Sequence, residues 1–391
     1  MRSLRDEVLE SNQELVGLRR DFHSLPELGF REFETSRKVR GYLESLGLEV
    51  TNLAKTGVVG LLRGKSSGKT VMLRSDMDAL PIQEENDLPY RSQCPGVMHA
   101  CGHDGHMAML LIAAKLLARR REEISGCIKF VFQPNEEVAG AWAMIEAGVL
   151  QNPAVDAAFA IHLWSALESG TVGISAGPVT AGLMIFDLTV FGKGGHTGYP
   201  QEAIDPILTA ANIIQSVQAV QTREISQLKP TIIMFGQIHA GTKANIVPES
   251  VQLSGSLRCL YEGGEQNPEG RFERIVKGIC EAHRARFELK FTVENHPVVN
   301  DPHLVRLARQ GAEEALGNRG RIVDYTTLVG EDFSEYCRNV PGVLAFLGAG
   351  NRSKQADYPH HSARFNIDED MLSIGVEMHM RSALSYLRSQ S

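Results

Sequence analysis

The chain has 391 residues, of which 43% are hydrophobic and 22% are charged, and these proportions exclude a disordered or low-complexity protein. Its length exceeds the size at which one hydrophobic core usually stops growing, so two domains are expected. The formal net charge of -7, with acidic and basic residues interspersed, argues against a nucleic-acid-binding surface.

The N-terminal segment carries charges every few residues and lacks the apolar core of a secretory signal. The sequence also lacks an apolar run of about 18 residues, the length that a membrane span requires. The six cysteines are scattered without a pairing pattern, which is typical of a reducing compartment. We therefore expect a cytoplasmic protein without a membrane or nucleic-acid partner.

The first 180 residues alternate between helical and strand periodicity. Helices are predicted at about 4–24, 32–46, 104–120 and 141–147, and strands at about 58–62, 70–73, 128–132 and 156–161. Strands that alternate with helices predict an α/β sheet with parallel strands.

Near residue 180 the pattern changes. Strand, helix, two strands, helix and strand follow at about 184–190, 204–220, 231–239, 250–259, 270–284 and 286–293. This β-α-β-β-α-β order is that of a ferredoxin-like unit. A helix, a strand and a helix then resume the first pattern at about 302–316, 343–347 and 368–387. We predict a mixed-sheet α/β catalytic domain, formed by residues 1–180 and 294–391, with a ferredoxin-like α+β domain inserted at 181–293.

A nine-residue segment, MHACGHDGH, combines three histidines with one cysteine. Residues two apart in extended chain face the same way, so Cys101 and His103 can direct a thiolate and an imidazole to one metal ion. The alternatives are a buried packing cysteine beside surface histidines, and a Cys-His nucleophilic dyad. His99 and His106 are interpreted as supporting or structural residues, and Asp104 as the N-cap of the following helix.

Carboxylates and histidines also follow later strands. Glu136 and Glu137 end an apolar strand, where open α/β sheets place functional groups, and neighbours in extended chain point to opposite sides. One carboxylate can then bind metal while the other faces a water molecule. His162 ends another apolar run, and only one of His360 and His361 is expected to ligate. A solvated helix start and buried structural histidines are the alternatives.

Two further carboxylates, Asp76 and Asp78, follow the predicted strand at 70–73. They are placed to orient metal-bound imidazoles through hydrogen bonds. Turn-forming aspartates before Pro81 are an equal alternative.

Together these motifs resemble the M20 metallopeptidase superfamily, and within it the amidohydrolase branch of aminoacylases, hippurate hydrolases and auxin-conjugate hydrolases. The segments LRSDMDALPIQE, MHACGHDGH, FQPNEE, AIHLW, GKGGHTGYP and HHSARFNIDE occur in family order across nearly the whole chain. The resemblance implies two divalent metal ions, either zinc or manganese, cobalt or nickel. It implies five ligands, namely Cys101, His103, Glu137, His162 and His361.

The same resemblance implies that Glu136 is the general base. His361 is preferred to His360 because the family histidine precedes an aromatic residue by four positions, as His361 precedes Phe365. The family also implies that the inserted domain forms a homodimer, in which His196 of the GKGGH motif reaches the partner's active site. Asn245 and Arg258 are similar to substrate-binding positions.

The implied reaction is metal-dependent hydrolysis of the amide bond of an N-acyl amino acid or a similar small substrate. A dipeptidase or carboxypeptidase with the same metal centre is the alternative, and a non-catalytic binding protein is a third possibility that the retention of Glu136 with every ligand disfavours. Three segments depart from the family pattern: Ser165 replaces a usual proline, ALESG replaces a proline-rich stretch, and TAGLMIFDL is unusual. These departures concern substrate choice more than chemistry. The acyl group, the amino acid and the metal stay open.

Overall fold

The computed structural model describes residues 3–138, 140–261 and 267–389. The chain forms two compact units. Unit 1 comprises Met1–Val179, Val298–Thr326 and Asp332–Ser391, and unit 2 comprises Thr180–Pro297 and Thr327–Glu331. The domain limits predicted from the sequence remain a prediction.

Unit 1 carries helices and strands from both sides of the insertion. Before it come α1 (Leu4–Glu10), α2 (Asn12–Ser24), α3 (Phe33–Ser45), β1 (Glu49–Leu53), β2 (Gly57–Arg63), β3 (Ser66–Asp76), α4 (His103–Arg119), β4 (Ser125–Gln133), α5 (Gly140–Glu146), β5 (Ala157–Glu168), β6 (Thr171–Gly173) and β7 (Gly177–Pro178).

Unit 2 then contributes β8 (Gly182–Phe191), β9 (Gly195–His196), α6 (Pro206–Ser216), β10 (Thr231–Ala240), β11 (Ile246–Val247), β12 (Ser250–Cys259), α7 (Pro268–His283) and β13 (Arg286–Asn295). Unit 1 resumes with β14 (Val299–Asn300), α8 (Pro302–Leu316), β15 (Arg321–Val323), α9 (Phe333–Cys337), β16 (Gly342–Gly350) and α10 (Leu372–Ser389).

The main sheet of unit 1 has the strand order β1-β2-β4-β3-β5-β16-β6-β15. Its central strands β4, β3, β5 and β16 are parallel, whereas β1, β2 and the contact of β16 with β6 are antiparallel. The mixed α/β architecture predicted from the sequence is therefore confirmed. The sheet contains antiparallel as well as parallel pairs. Strands β1 and β2 form a hairpin, whose short connection contains no crossover helix and pairs them antiparallel.

Apolar side chains cover both faces of this sheet. One core cluster contains α4 and α10, and a second contains α5 and α9. Helix α4 is buried along nearly its whole length because its sequence is apolar on all sides, as is typical of a core helix. The predicted helix at 4–24 is interrupted at Ser11, which caps α1 and precedes α2. None of the described helices combines the length and the hydrophobicity that crossing a membrane requires.

Unit 2 has the predicted β-α-β-β-α-β order, with an antiparallel sheet in the order β10-β12-β8-β13. Side chains of α6 and α7 join the sheet in one apolar core. The short strands β9 and β11 form a separate ribbon that pairs His196 with Ile246. Strand β10 lies at an edge and exposes apolar side chains, with Met234 60% and Ile238 54% exposed.

Candidate metal centre

The carboxyl ends of three parallel strands place several buried polar side chains of unit 1 at one edge of the sheet. Asp76 at the end of β3 pairs with Gln133 at the end of β4, and Arg74 of β3 pairs with Ala160 of β5. This register brings Asp76 level with His162. Open α/β sheets form their ligand sites at this edge.

The Cys-x-His pair lies where the chain turns into α4. Gly102 caps the helix with φ of 90°, a left-handed conformation that favours glycine, and it separates buried Cys101 from His103. The expected N-cap at Asp104 is wrong, because Asp104 lies inside the first turn. Its carboxylate instead accepts hydrogen bonds from Arg19 and His23, both at 2.8 Å.

The two glutamates begin a short 3₁₀ turn, Glu136–Val138, rather than ending an extended strand. Asn135 reverses the chain with φ of 53°, so the opposite-facing arrangement of an extended chain does not apply. The backbone N–H of Glu137 donates to Asp78 Oδ2 at 3.2 Å. The carboxylate of Glu136 lies 3.9 Å from His103 Nε2.

His361 comes from the loop after β16. Its φ of 63° is unusual for a residue with a side chain, and its N–H donates to the Ala100 carbonyl at 2.9 Å. Its Nε2 lies 3.1 Å from Glu137 Oε1, and this interaction raises the pKa of His361. The loop is therefore fixed beside the Cys101 segment.

These residues form two sets of donors that share one sulfur atom. One set is Cys101, His103 and His162, and the other is Cys101, Glu137 and His361. Within each set the ligand atoms lie within 4.8 Å of one another. The structure thus brings together all five residues that the sequence suggested as ligands, with Glu136 beside them.

Hydrogen bonds decide which imidazoles have a lone pair for a metal ion. His103 Nδ1 donates to the Asp78 carbonyl and His162 Nδ1 to the Leu163 carbonyl, both at 2.8 Å. In its neutral form, each ring therefore has its lone pair at Nε2. His106 has none to offer, since Nδ1 donates to Asp76 at 2.6 Å and Nε2 accepts from the Leu163 N–H at 2.8 Å.

The two predicted supporting aspartates consequently have different contacts. Asp78 faces His103, whose Nδ1 lies 3.3 Å from its Oδ1. Asp76 holds His106 and also accepts from Arg74 at 2.7 Å. In the geometric cluster of Asp76, His103 and His106, Asp76 is thus hydrogen-bonded to His106, while His103 Nε2 lies 3.9 Å from its carboxylate.

Burial and charge set the protonation of the donors. Burial lowers the pKa of His103, but the carboxylates of Asp76 and Asp78 outweigh it and raise that pKa to about 10. Burial, followed by the charges of Glu137 and Glu136, raises the pKa of the Cys101 thiol well above its usual range. A bound cation would supply positive charge beside this group of carboxylates and thiol.

The donor atoms fit divalent metal ions. His103 Nε2 is buried without a hydrogen-bond partner among the described residues, which is costly unless another group binds it. Thiolate, imidazole and carboxylate ligands suit zinc, and the imidazoles and carboxylates also accept manganese, cobalt or nickel.

Unit 2 holds the remaining predicted site residues, in two places. Exposed His196 and Asn245 line one groove of about 660 Å³, where the β9–β11 ribbon meets the start of β12. Half-buried Arg258 lies near the other end of β12, and it donates to the Leu328 carbonyl at 3.1 Å. The pairings Ser250↔Phe191 and Arg258↔Leu183 mark the two ends. Ser250 and Arg258 are eight residues apart in an extended strand, so the two ends of β12 are separated by about 27 Å.

Sequence reasoning assigned no role to His360, because adjacent histidines give no signal for two functions. The structure places its Nδ1 3.6 Å from Cys101 Sγ, and its Nε2 accepts from the Ser165 N–H at 3.2 Å. Burial lowers the pKa of His360 to about 3, so the ring is neutral. The partner of His360 Nε2 is a backbone N–H, and the sequence does not reveal a contact of that kind.

Comparison with known proteins gives a consistent result. The sequence profile of peptidase family M20/M25/M40 matches residues 72–385. The chain is 40% identical to thermostable carboxypeptidase 1 of Saccharolobus solfataricus over 390 residues, 98% of either chain. It is 36% identical to N-acetylcysteine deacetylase of Bacillus subtilis over 378 residues, covering 96% of this chain and 97% of the relative.

A solved structure from Bacillus subtilis, described as a dinuclear metal-binding peptidase from the M20 family, superimposes with a TM-score of 0.84 and 32% identity. The match covers 97% of this chain and 99% of the other.

Proposed function

We propose, since the chain belongs to peptidase family M20/M25/M40, that it is a metal-dependent amidohydrolase that cleaves the amide bond of N-acyl amino acids. The observation that carries the proposal is the pair of donor sets that share Cys101, with Glu136 beside them. The deacetylase relative supports an N-acyl amino acid as substrate. The carboxypeptidase relative supports the second candidate, a peptidase that uses the same centre.

In this proposal Cys101, His103 and His162 would hold one divalent ion, and Cys101, Glu137 and His361 would hold the other. Bound there, the ions would polarise the substrate carbonyl and lower the pKa of a water molecule. Zinc fits the thiolate best, with manganese, cobalt or nickel as alternatives.

The chain's own groups then move the proton. Glu136 takes a proton from the water that attacks the carbonyl carbon, and returns it to the nitrogen of the leaving amine. His196 would donate to the developing oxyanion. Arg258 would bind the substrate carboxylate, because its planar guanidinium matches that geometry, and Asn245 would contact the substrate amide.

A homodimer explains why these three residues lie at opposite ends of β12. One small substrate cannot touch both Arg258 and the groove of His196 and Asn245, which lie about 27 Å apart along the strand. Two chains together can supply both ends to one site.

We assign the dimer contact to the β10 edge of unit 2. The β10 sequence TIIMFGQIHA has no Asp, Glu, Lys or Arg, whereas β13 at the opposite edge has RFELKFTVEN with four charged side chains. Charged side chains protect an edge strand from pairing, and an uncharged apolar edge invites it. The protein is expected to act in the cytoplasm, on small molecules rather than nucleic acids.

Metal removal and a substrate screen test the proposal together. Protein treated with a chelator and then desalted is assayed on N-acetyl, N-benzoyl and indoleacetyl amino acids and on dipeptides, with and without added zinc, manganese, cobalt or nickel. We expect hydrolysis of N-acyl amino acids to disappear with the metal and to return when it is restored. Preferred hydrolysis of dipeptides would favour the peptidase, and full activity without metal would exclude both candidates.

A further inference from the structure

Cys101 has a second imidazole beside its sulfur that belongs to neither donor set. His360 Nδ1 lies 3.6 Å from Cys101 Sγ, about as close as His162 Nε2 at 3.7 Å. His360 faces the sulfur with Nδ1, whereas His162 faces it with Nε2. That difference determines what each ring can do.

The backbone fixes the tautomer of both rings. A neutral imidazole has one N–H and one lone pair. His360 uses its lone pair at Nε2 to accept the Ser165 N–H, so its proton is on Nδ1 and faces the sulfur. His162 is the reverse, because Nδ1 donates to the Leu163 carbonyl and the Nε2 lone pair faces the sulfur. His162 is therefore built as a ligand and His360 as a hydrogen-bond donor.

The ring of His360 is also held in place by aromatic contacts. It stacks on Trp164 with centroids 4.3 Å apart and planes at 29°, and it lies 4.8 Å from the ring of Phe365. Trp164 is itself fixed by donating to the Tyr325 hydroxyl at 2.7 Å. A ring held by two aromatic contacts loses little further entropy when it makes a hydrogen bond.

We propose that His360 is a positioning residue of the metal centre, which donates its Nδ1–H to the Cys101 sulfur that both donor sets share. The proposal rests on the proposed function, in which Cys101 is a metal ligand. The N–H draws electron density from the sulfur and fixes its direction. Groups that hydrogen-bond to metal ligands in this way typically change metal affinity or activity about 10- to 100-fold.

Ser165 is the second member of this arrangement, through its backbone rather than its side chain. Any residue except proline supplies the N–H that keeps the His360 lone pair engaged. The usual family proline at this position would therefore leave Nε2 without its donor. The departure noted in the sequence thus has a physical consequence at the metal centre.

Cobalt-loaded protein reports on the sulfur directly, since a thiolate bound to cobalt absorbs in the near ultraviolet by charge transfer. Cys101→Ser should abolish this band and so identify it. We expect His360→Leu to shift the band to lower energy and to weaken cobalt binding about 10- to 100-fold in chelator competition, with two ions still bound at saturation. His360→Asn, which keeps an N–H near the Nδ1 position, should restore the band towards its original energy.

The residue 165 variants provide a matched pair. Ser165→Pro removes the N–H and should shift the band in the same direction, whereas Ser165→Ala keeps the N–H and should leave the band unchanged. If His360→Leu does not fold, as judged by circular dichroism, this pair decides the question.

Three results would overturn the proposal. The first is an unshifted band in folded, cobalt-loaded His360→Leu. The second is the loss of one bound ion in that variant, which would make His360 a ligand. The third is identical spectra for Ser165→Pro and Ser165→Ala. Failure of the proposed function would look different. In that case the unmodified protein itself would bind no cobalt or show no band that depends on Cys101.

Discussion

Glu136 and Glu137 are adjacent in a 3₁₀ turn, yet they are assigned different tasks. Glu137 belongs to a donor set with Cys101 and His361, while the carboxylate of Glu136 lies 3.9 Å from His103 Nε2. Substituting each by glutamine changes one carboxylate oxygen to an amide and leaves the shape nearly unchanged. The two variants therefore act as controls for each other.

Glu136→Gln should lower kcat by about 10² to 10⁴, because a glutamine amide cannot accept the proton of the attacking water. Its metal content should stay at two ions per subunit. Glu137→Gln should instead lose metal affinity, since it removes a charged ligand. The measurements are steady-state kinetics and metal analysis of the purified variants. Normal turnover in Glu136→Gln, or loss of metal from it, would contradict these roles.

The residues that form the two donor sets could be singled out from the sequence, and their hydrogen bonds could not. Cys101, His103 and His162 stand out because polar side chains follow apolar strands or precede a helix. The groups that choose between ligand and donor are backbone groups, such as the N–H of Leu163 for His106 and of Ser165 for His360. Every residue except proline has such a group, so no residue type marks it.

At the scale of elements, a buried ionic network fixes the start of α4 to α2. Arg19 of α2 donates to Asp104 of α4 at 2.8 Å, and His23 joins the same carboxylate. Arg19 and Arg20 both contact Glu369 and the ring of Tyr90, but the side chain of Arg19 is 1% exposed and that of Arg20 is 44% exposed.

Arg19→Met should destabilise unit 1 strongly, whereas Arg20→Met should have little effect. Removing one partner of a buried ion pair costs about 3–5 kcal/mol, because the Asp104 carboxylate loses its fixed counter-charge. An exposed pair contributes about 0–1 kcal/mol. Urea unfolding of metal-free protein checks this, since bound metal would mask the difference. Similar midpoints for both variants would show that Asp104 is stabilised chiefly by His23.

Long elements could be predicted from periodicity, and short ones could not. Helix α8 begins and ends where the sequence placed it, because its apolar stripe and the Asp301 N-cap are both clear. The strands β6, β9 and β11 have two or three residues, too few to show alternation. The β9–β11 ribbon carries His196. The GKGGH motif was therefore visible in the sequence, but the short strand that contains His196 was not.

At the scale of the whole molecule, the proposed dimer leads to a prediction about shared active sites. Mixed dimers of His196→Ala and Glu136→Gln subunits should recover activity, although each parent homodimer is inactive. Only a mixed dimer combines an intact Glu136 with a His196 from the other subunit. If purified mixed dimers with folded, metal-loaded subunits stay inactive, His196 does not act across the interface.

Charge at the β10 edge should separate the subunits. Met234→Glu combined with Ile238→Glu places two negative charges on the uncharged edge, and we expect a monomer that has lost most of its activity. Val293→Glu on β13 is the matched control, since Val293 is 51% exposed on the opposite edge. Sedimentation and activity assays distinguish the outcomes. Dissociation caused only by the β13 variant would move the interface to that edge.

The position of β16 in the sheet also governs the order in which the protein can be made. In the finished sheet β16 lies between β5 and β6, yet it is encoded after all the strands of unit 2. A chain emerging from the ribosome completes the sheet of unit 2 while β5 has β3 on one side but still lacks β16 on the other. His361, the last proposed ligand, emerges later still, so binding of the second ion belongs to the final stage of synthesis. A nascent chain that stalls before β16 exposes an unpaired strand and cannot hold its second ion.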